Sequence, residues 1–125
     1  MKLTTSEIKF MNMIWKEEPV SSGVLVKMCL EQFDWKKSTT YTFLKRLQER
    51  GAVVNNNSIV SSLVSKEIIQ KEETLDLVDS LFDGSISKLV KSYLDNNTVS
   101  EEEMNELKKM FKDSSEEKKF IRFEV

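Results

Sequence analysis

Between Thr4 and Arg50 three apolar stripes of helical period follow one another, and two short β-rich runs come directly after them, around the polar stretch Asn55-Asn56-Asn57-Ser58. That order admits few small folds. The first stripe opens on Thr4 with Glu7 three residues later, a capping box in which the hydroxyl accepts from first-turn amides and the carboxylate reaches back. Ile8, Met11, Ile14 and Trp15 then recur at helical spacing with Lys9, Asn12 and Lys16 off that face, and Pro19 ends the helix because the residue before proline is biased away from helical geometry. Ser21 or Ser22 caps a second helix with the stripe Val24, Leu25, Met28 and Cys29. Phe33-Asp34-Trp35 is the turn. A third helix begins at Ser38 or the preceding lysines, buries Thr40, Phe43, Leu44 and Leu47, and stops at Gly51. Ala52-Val53-Val54 and Ile59 to Val64 then form a hairpin, whose Asn-rich tip tolerates left-handed backbone.

Three helices followed by a hairpin is the order of a winged helix-turn-helix. The expected architecture is mainly α: a winged helix-turn-helix domain over 1–65, a three-helix dimerisation region over 66–112, and a charged tail over 113–125 in which disorder is an option. In the second region, Ile68, Ile69, Leu75, Leu77, Val78, Leu81 and Phe82 offer more apolar surface than a lone helix can bury. Asp83-Gly84 breaks that helix, a second carries Ile86, Leu89, Val90, Tyr93 and Leu94, and Ser100 with Glu103 opens a last one. Helices this short draw most of their stability from tertiary packing. A partner subunit is the natural cover for their apolar faces.

Charge divides along the chain in the same place. The net value of −2 conceals nine Lys/Arg against six Asp/Glu in residues 1–65, a balance of +3, and ten against fifteen from residue 66 onward, a balance of −5. A mildly basic half joined to an acidic one fits a DNA-contacting module carrying a non-contacting one. The chain has no histidine and one cysteine, Cys29, which removes imidazole bases, internal disulfides and thiolate metal clusters. No nucleophile–base pair or phosphate loop can be assembled, so an enzyme is not expected, nor a cofactor or metal. Cys29 reads as a small core residue, Trp15 and Trp35 as core aromatics rather than stacking platforms, the methionines as gap-fillers, and Glu101-Glu102-Glu103 as a first helical turn favoured by the helix dipole. Without a long apolar run, a cytoplasmic address with no membrane insertion is expected.

Trp15-Lys16, Trp35, the run Thr39-Thr40-Tyr41-Thr42-Phe43-Leu44-Lys45-Arg46-Leu47 and Arg50-Gly51-Ala52 together make the motif Trp-x-x-x-Thr-x-x-Thr-x-Leu-x-Arg-Leu followed by Arg-Gly. In this motif the chain resembles the penicillinase and methicillin-resistance repressor family. The likeness extends over Leu3 to Lys112, with Leu81-Phe82-Asp83-Gly84-Ser85 and Leu94-Asp95-Asn96 at the later helix ends. It implies a homodimeric transcriptional repressor of palindromic operators ahead of β-lactamase-type resistance genes. The same likeness implies a membrane sensor upstream and proteolysis in the dimerisation region, where the family's scissile Asn-Phe falls on Ser92-Tyr93. Two further differences stand out: the wing tip lacks the family's Gly-Arg, and the cysteine-rich end of the copper-responsive branch is missing.

A helix entering the major groove needs short polar side chains near its start and cations further along. Thr39 with Tyr41 or Thr42 is therefore expected at phosphate or base edges and Lys45 and Arg46 at phosphate, joined by Ser38, Lys36 and Lys37 at the turn and Asn56 on the wing. The expected dimerisation residues are Leu77, Leu81, Leu89, Tyr93, Leu107, Met110 and Phe111. The competing reading is a winged helix that binds protein rather than DNA, favoured by the acidic total and the uncharged wing; a regulator of a different stress response is a further alternative.

Overall fold

The computed structural model describes residues 1–124, with side chains through Ser115. It divides into two compact units, Met1–Asp79 and the remainder from Ser80. In the first, helix α1 (Thr5–Glu17) opens on the expected capping box, with both Thr4 and Glu7 hydrogen bonds formed, and ends at Glu18 before Pro19. Helix α2 (Ser22–Phe33) is capped by the Ser21 hydroxyl, which accepts from the Val24 amide, and closes on Asp34 in the left-handed conformation. Helix α3 (Lys37–Glu49) starts at the lysines and is halted by Gly51, whose φ of 77° suits glycine.

The hairpin consists of β2 (Val53–Asn56) and β3 (Ile59–Ser62), paired antiparallel with Val54 opposite Ser61. Its two-residue turn, Asn57-Ser58, has positive φ at both positions (49° and 68°), the geometry that matches strand twist in tight hairpins. A short strand not expected from the sequence, β1 (Val20–Ser21), joins the other side of β3 with Val20 opposite Val60, giving the order β1-β3-β2. Two residues are too few to show alternation, and Val20 reads as part of the α1–α2 link.

The core holds Phe10, Met11, Ile14, Leu25, Cys29, Leu44, Leu47, Val53 and Val60, all at 2 % exposure or less. The apolar face of α1 is turned from its expected position. Phe10 is buried and Ile8 is 36 % exposed, because Phe10 packs with Trp35 and Phe43. In α2, Val24 likewise leaves the expected stripe at 45 % exposure.

Two boundaries differ from expectation. Helix α4 (Lys66–Leu81) lies in the first unit for most of its length, since Ile69 is 5 % exposed within the core and Glu73 Oε1 accepts from the Leu3 amide at 3.1 Å. The first unit therefore ends at Asp79 and not at residue 65. In the second unit, α5 (Ile86–Leu94) is capped by Ser85 and α6 (Glu101–Glu124) by Ser100. Helix α6 continues through the segment expected to be a separate tail. After Gly84 the sequence has no glycine or proline to stop it, and its Glu and Lys residues are good helix formers.

Candidate nucleic-acid interface

Helix α3 is set in place by one face and displays the other. Thr40, Leu44 and Leu47 are buried, and Phe43 stacks on Trp35 with ring centroids 4.4 Å apart and planes 28° apart. Trp35 also meets Phe33 at 5.1 Å and Phe10 at 5.9 Å. These four rings fix the turn that enters α3, and offset or edge contacts of this kind add to simple burial. Trp15 is equally structural: its Nε1–H donates to the Val64 carbonyl at 2.9 Å.

The outward face carries Lys36, Lys37, Ser38, Tyr41, Thr42, Lys45 and Arg46, all exposed, while Thr39 is half-buried. Seven of the nine expected contact residues, Thr39 included, thus stand on α3 itself, and an eighth, Lys36, is its N-cap. Asn56 lies apart, exposed at the end of β2. Several of these side chains also have partners within the fold. The Thr42 hydroxyl donates to the Ser38 carbonyl at 2.9 Å, leaving its oxygen lone pairs and methyl for anything outside. The Arg46 guanidinium lies 5.2 Å from the Phe43 ring centre, and the Lys37 ammonium 6.0 Å from that of Tyr41. Aromatic faces restrain both cations without neutralising them.

Lys36 occupies the N-cap position of α3 and makes no side-chain cap hydrogen bond. Lys36 and Lys37 thus stand in sequence at the start of α3, where the helix dipole already favours an anion. Helix propensity alone would place an acceptor such as Ser or Asp there.

Ser22 is a residue whose importance the sequence does not announce. It is 4 % exposed; its amide donates to the Ser58 carbonyl at 2.8 Å, and its hydroxyl lies 3.3 Å from the Tyr41 hydroxyl. One serine at the start of α2 therefore ties the hairpin turn to the outer face of α3. Glu18 holds the far end of β3 similarly, accepting from the Ser62 amide at 3.0 Å and hydroxyl at 2.9 Å. Long-range acceptors of this kind leave no local spacing pattern.

Cys29 is fully buried with its Sγ 3.8 Å from Met13 Sδ. Burial pushes its thiol up, against a smaller lowering by the Thr40 side chain, so it is a poor source of thiolate. Among the described residues no group of three His, Cys, Asp or Glu could hold a metal, and no helix is long and apolar enough to cross a membrane.

In the second unit no residue from Ser80 to Ser115 is buried. Of the residues expected at a dimer contact, Leu81 is 71 % exposed, Tyr93 57 %, and Met110 and Phe111 55 % each, while Leu77 is exposed and Leu89 and Leu107 half-covered. Ile86, Val90 and Leu94 of α5 line an open groove with Phe111 of α6. Ser92 and Tyr93 are exposed within α5.

A three-helix core, a hairpin after the third helix and a displayed, cation-bearing third helix define a winged helix-turn-helix protein. The chain belongs to the penicillinase repressor family, which it matches over residues 3–113. It is similar to the methicillin resistance regulatory protein MecI of Staphylococcus aureus strain Mu50, 25 % identical over 111 residues that cover 86 % of this chain and 90 % of that protein. The penicillinase repressor of Bacillus licheniformis is 24 % identical over 123 residues, covering 94 % and 95 %. MecI of Mammaliicoccus sciuri is also 24 % identical, over 111 residues.

Proposed function

We propose that this chain is a sequence-specific transcriptional repressor that binds palindromic operators as a homodimer, ahead of β-lactamase-type resistance genes. The observation that carries the reading is the exposed face of α3: four cations and short polar side chains on a helix whose rear is locked to the core and whose first turn is uncapped. Family membership supports the role, and the relatives' names support the class of genes proposed. Homodimerisation is supported by the second unit, where none of the apolar side chains among the described residues is buried. A membrane sensor or protease acting upstream belongs to the same reading, with Ser92-Tyr93 as the aligned cleavage position.

Mobility-shift titration against the DNA upstream of the chain's own gene tests the proposal. Retarded complexes at concentrations well below those needed for random duplex are expected, with affinity falling steeply as salt rises. Equal affinity for both duplexes would sink the specific-repressor reading. The uncharged wing favours one alternative, a protein-binding winged helix, which would shift no duplex and retain a protein partner in pull-downs.

A further inference from the structure

The chain's first residues are bound on two sides. Arg50, the C-cap of α3, donates through Nη2 to the Lys2 carbonyl and through Nη1 to both oxygens of Glu7. On the other side, Leu3 is 6 % exposed and its amide donates to Glu73 Oε1 of α4 at 3.1 Å, while the Lys2 ammonium lies 3.7 Å from Asp76 Oδ2. Lys2-Leu3 is therefore a strap joining the end of α3 to the middle of α4. Its two attachment points on α4, Glu73 and Asp76, stand three residues apart on one face, with Ile69 four residues before Glu73 on the same side. Ile69 is the one residue of α4 that is buried, so the apolar hold on this helix is small.

We propose that Glu73 is a positioning residue for operator recognition: through Leu3 and the Arg50–Lys2 contact it fixes the direction of α4 relative to α3. This rests on the repressor reading above. In a dimer bound to a palindrome, the two α3 helices must meet half-sites a set distance apart, about one helical turn or a multiple of it. Helix α4 is the covalent route from the first unit to the helices that follow. A fixed angle between α3 and α4 makes the dimer selective for one half-site spacing; a loose angle lets it accept several.

The test uses the full chain and three duplexes carrying the footprinted operator with its natural spacing, or with two base pairs added or removed at the centre. Wild-type protein is expected to discriminate strongly against both altered duplexes. In Glu73→Ala the discrimination should fall up to about tenfold, the factor corresponding to one lost hydrogen bond, with sedimentation as a dimer unchanged. Glu73→Gln, whose amide oxygen still accepts from Leu3, should restore it. Amide exchange in the wild-type chain is a second measurement, with slow exchange at Leu3 expected. Unaltered discrimination in Glu73→Ala, or exchange at Leu3 at the rate of a free peptide, would overturn the proposal. A wild-type chain with no preference for the palindrome over random DNA would instead overturn the repressor reading, and this inference with it.

Discussion

Glu7 and Arg50 form a two-pronged ion pair across 43 positions of sequence, Nη1 lying 3.0 and 3.2 Å from the two carboxylate oxygens, while Glu7 Oε1 also accepts from the Thr4 amide at 2.9 Å. The carboxylate is 2 % exposed and the arginine 35 %, so one partner stays in contact with water. The acid that caps α1 also anchors the end of α3.

That double use has a pH signature. Burial pushes the Glu7 carboxyl up, but the Thr4 amide and Arg50 outweigh it, and the net direction is below the ordinary 4.5. A depressed carboxyl contributes stability above its unfolded pKa and loses it as pH falls through the folded value. Wild-type protein should therefore lose stability below about pH 4.5 more steeply than Glu7→Gln, which at pH 7 should be less stable by about 1–3 kcal/mol. Urea midpoints of both proteins from pH 7 to pH 3 check the prediction; parallel curves would remove the pair from the account.

Arg46→Ala should weaken binding to operator and to random duplex alike and lower the slope of log affinity against log salt by about one, as for a lost phosphate contact. The Phe43 contact it also loses is worth about 0.5–1 kcal/mol in folding. Titrations at several salt concentrations separate the two effects, and an unchanged slope would mean that Arg46 serves only the aromatic cluster.

Gly51→Ala isolates a backbone effect. A methyl at this position meets no atom within 4 Å, so the cost comes from the positive φ alone and should be about 1–2 kcal/mol. Denaturant unfolding measures it. A stability equal to wild type would show that the backbone relaxes there.

Fragments ending at Val64 and at Asp79 should differ. The longer keeps Ile69 and Glu73 and should be the more stable by about 2 kcal/mol or more, the scale of losing a buried aliphatic side chain. Both should sediment as monomers and bind operator far more weakly than the full chain, because the tandem contact is gone. A dimeric fragment would contradict the role given to the later helices.

The sequence already showed the helices of the first unit, because capping boxes, Pro19 and Gly51 act within a few residues of where they stand. The outer face of α3 was legible for the same reason, since a 3.6-residue period sorts Thr40, Leu44 and Leu47 from Lys45 and Arg46. Partners distant in sequence were not. Phe10 outranked Ile8 in α1 through rings supplied by Trp35 and Phe43, and β1 became a strand only because Val60 lay beside it. Ser22 looked like a helix cap, yet its hydrogen bonds lead to the hairpin and to Tyr41. The extension of the first compact unit to Asp79 was not legible either, because it depends on Ile69, alone among the α4 residues, entering the core.

Among the described residues of the second unit no side chain is buried within a single chain, and the homodimer proposed above would make assembly part of its folding. If a second copy supplies the missing interior, the melting temperature of these helices becomes a function of concentration. Dilution would then remove the operator-binding dimer in proportion to the square of the chain's abundance, so a modest fall in synthesis would release its genes more sharply than a lone DNA-binding domain could.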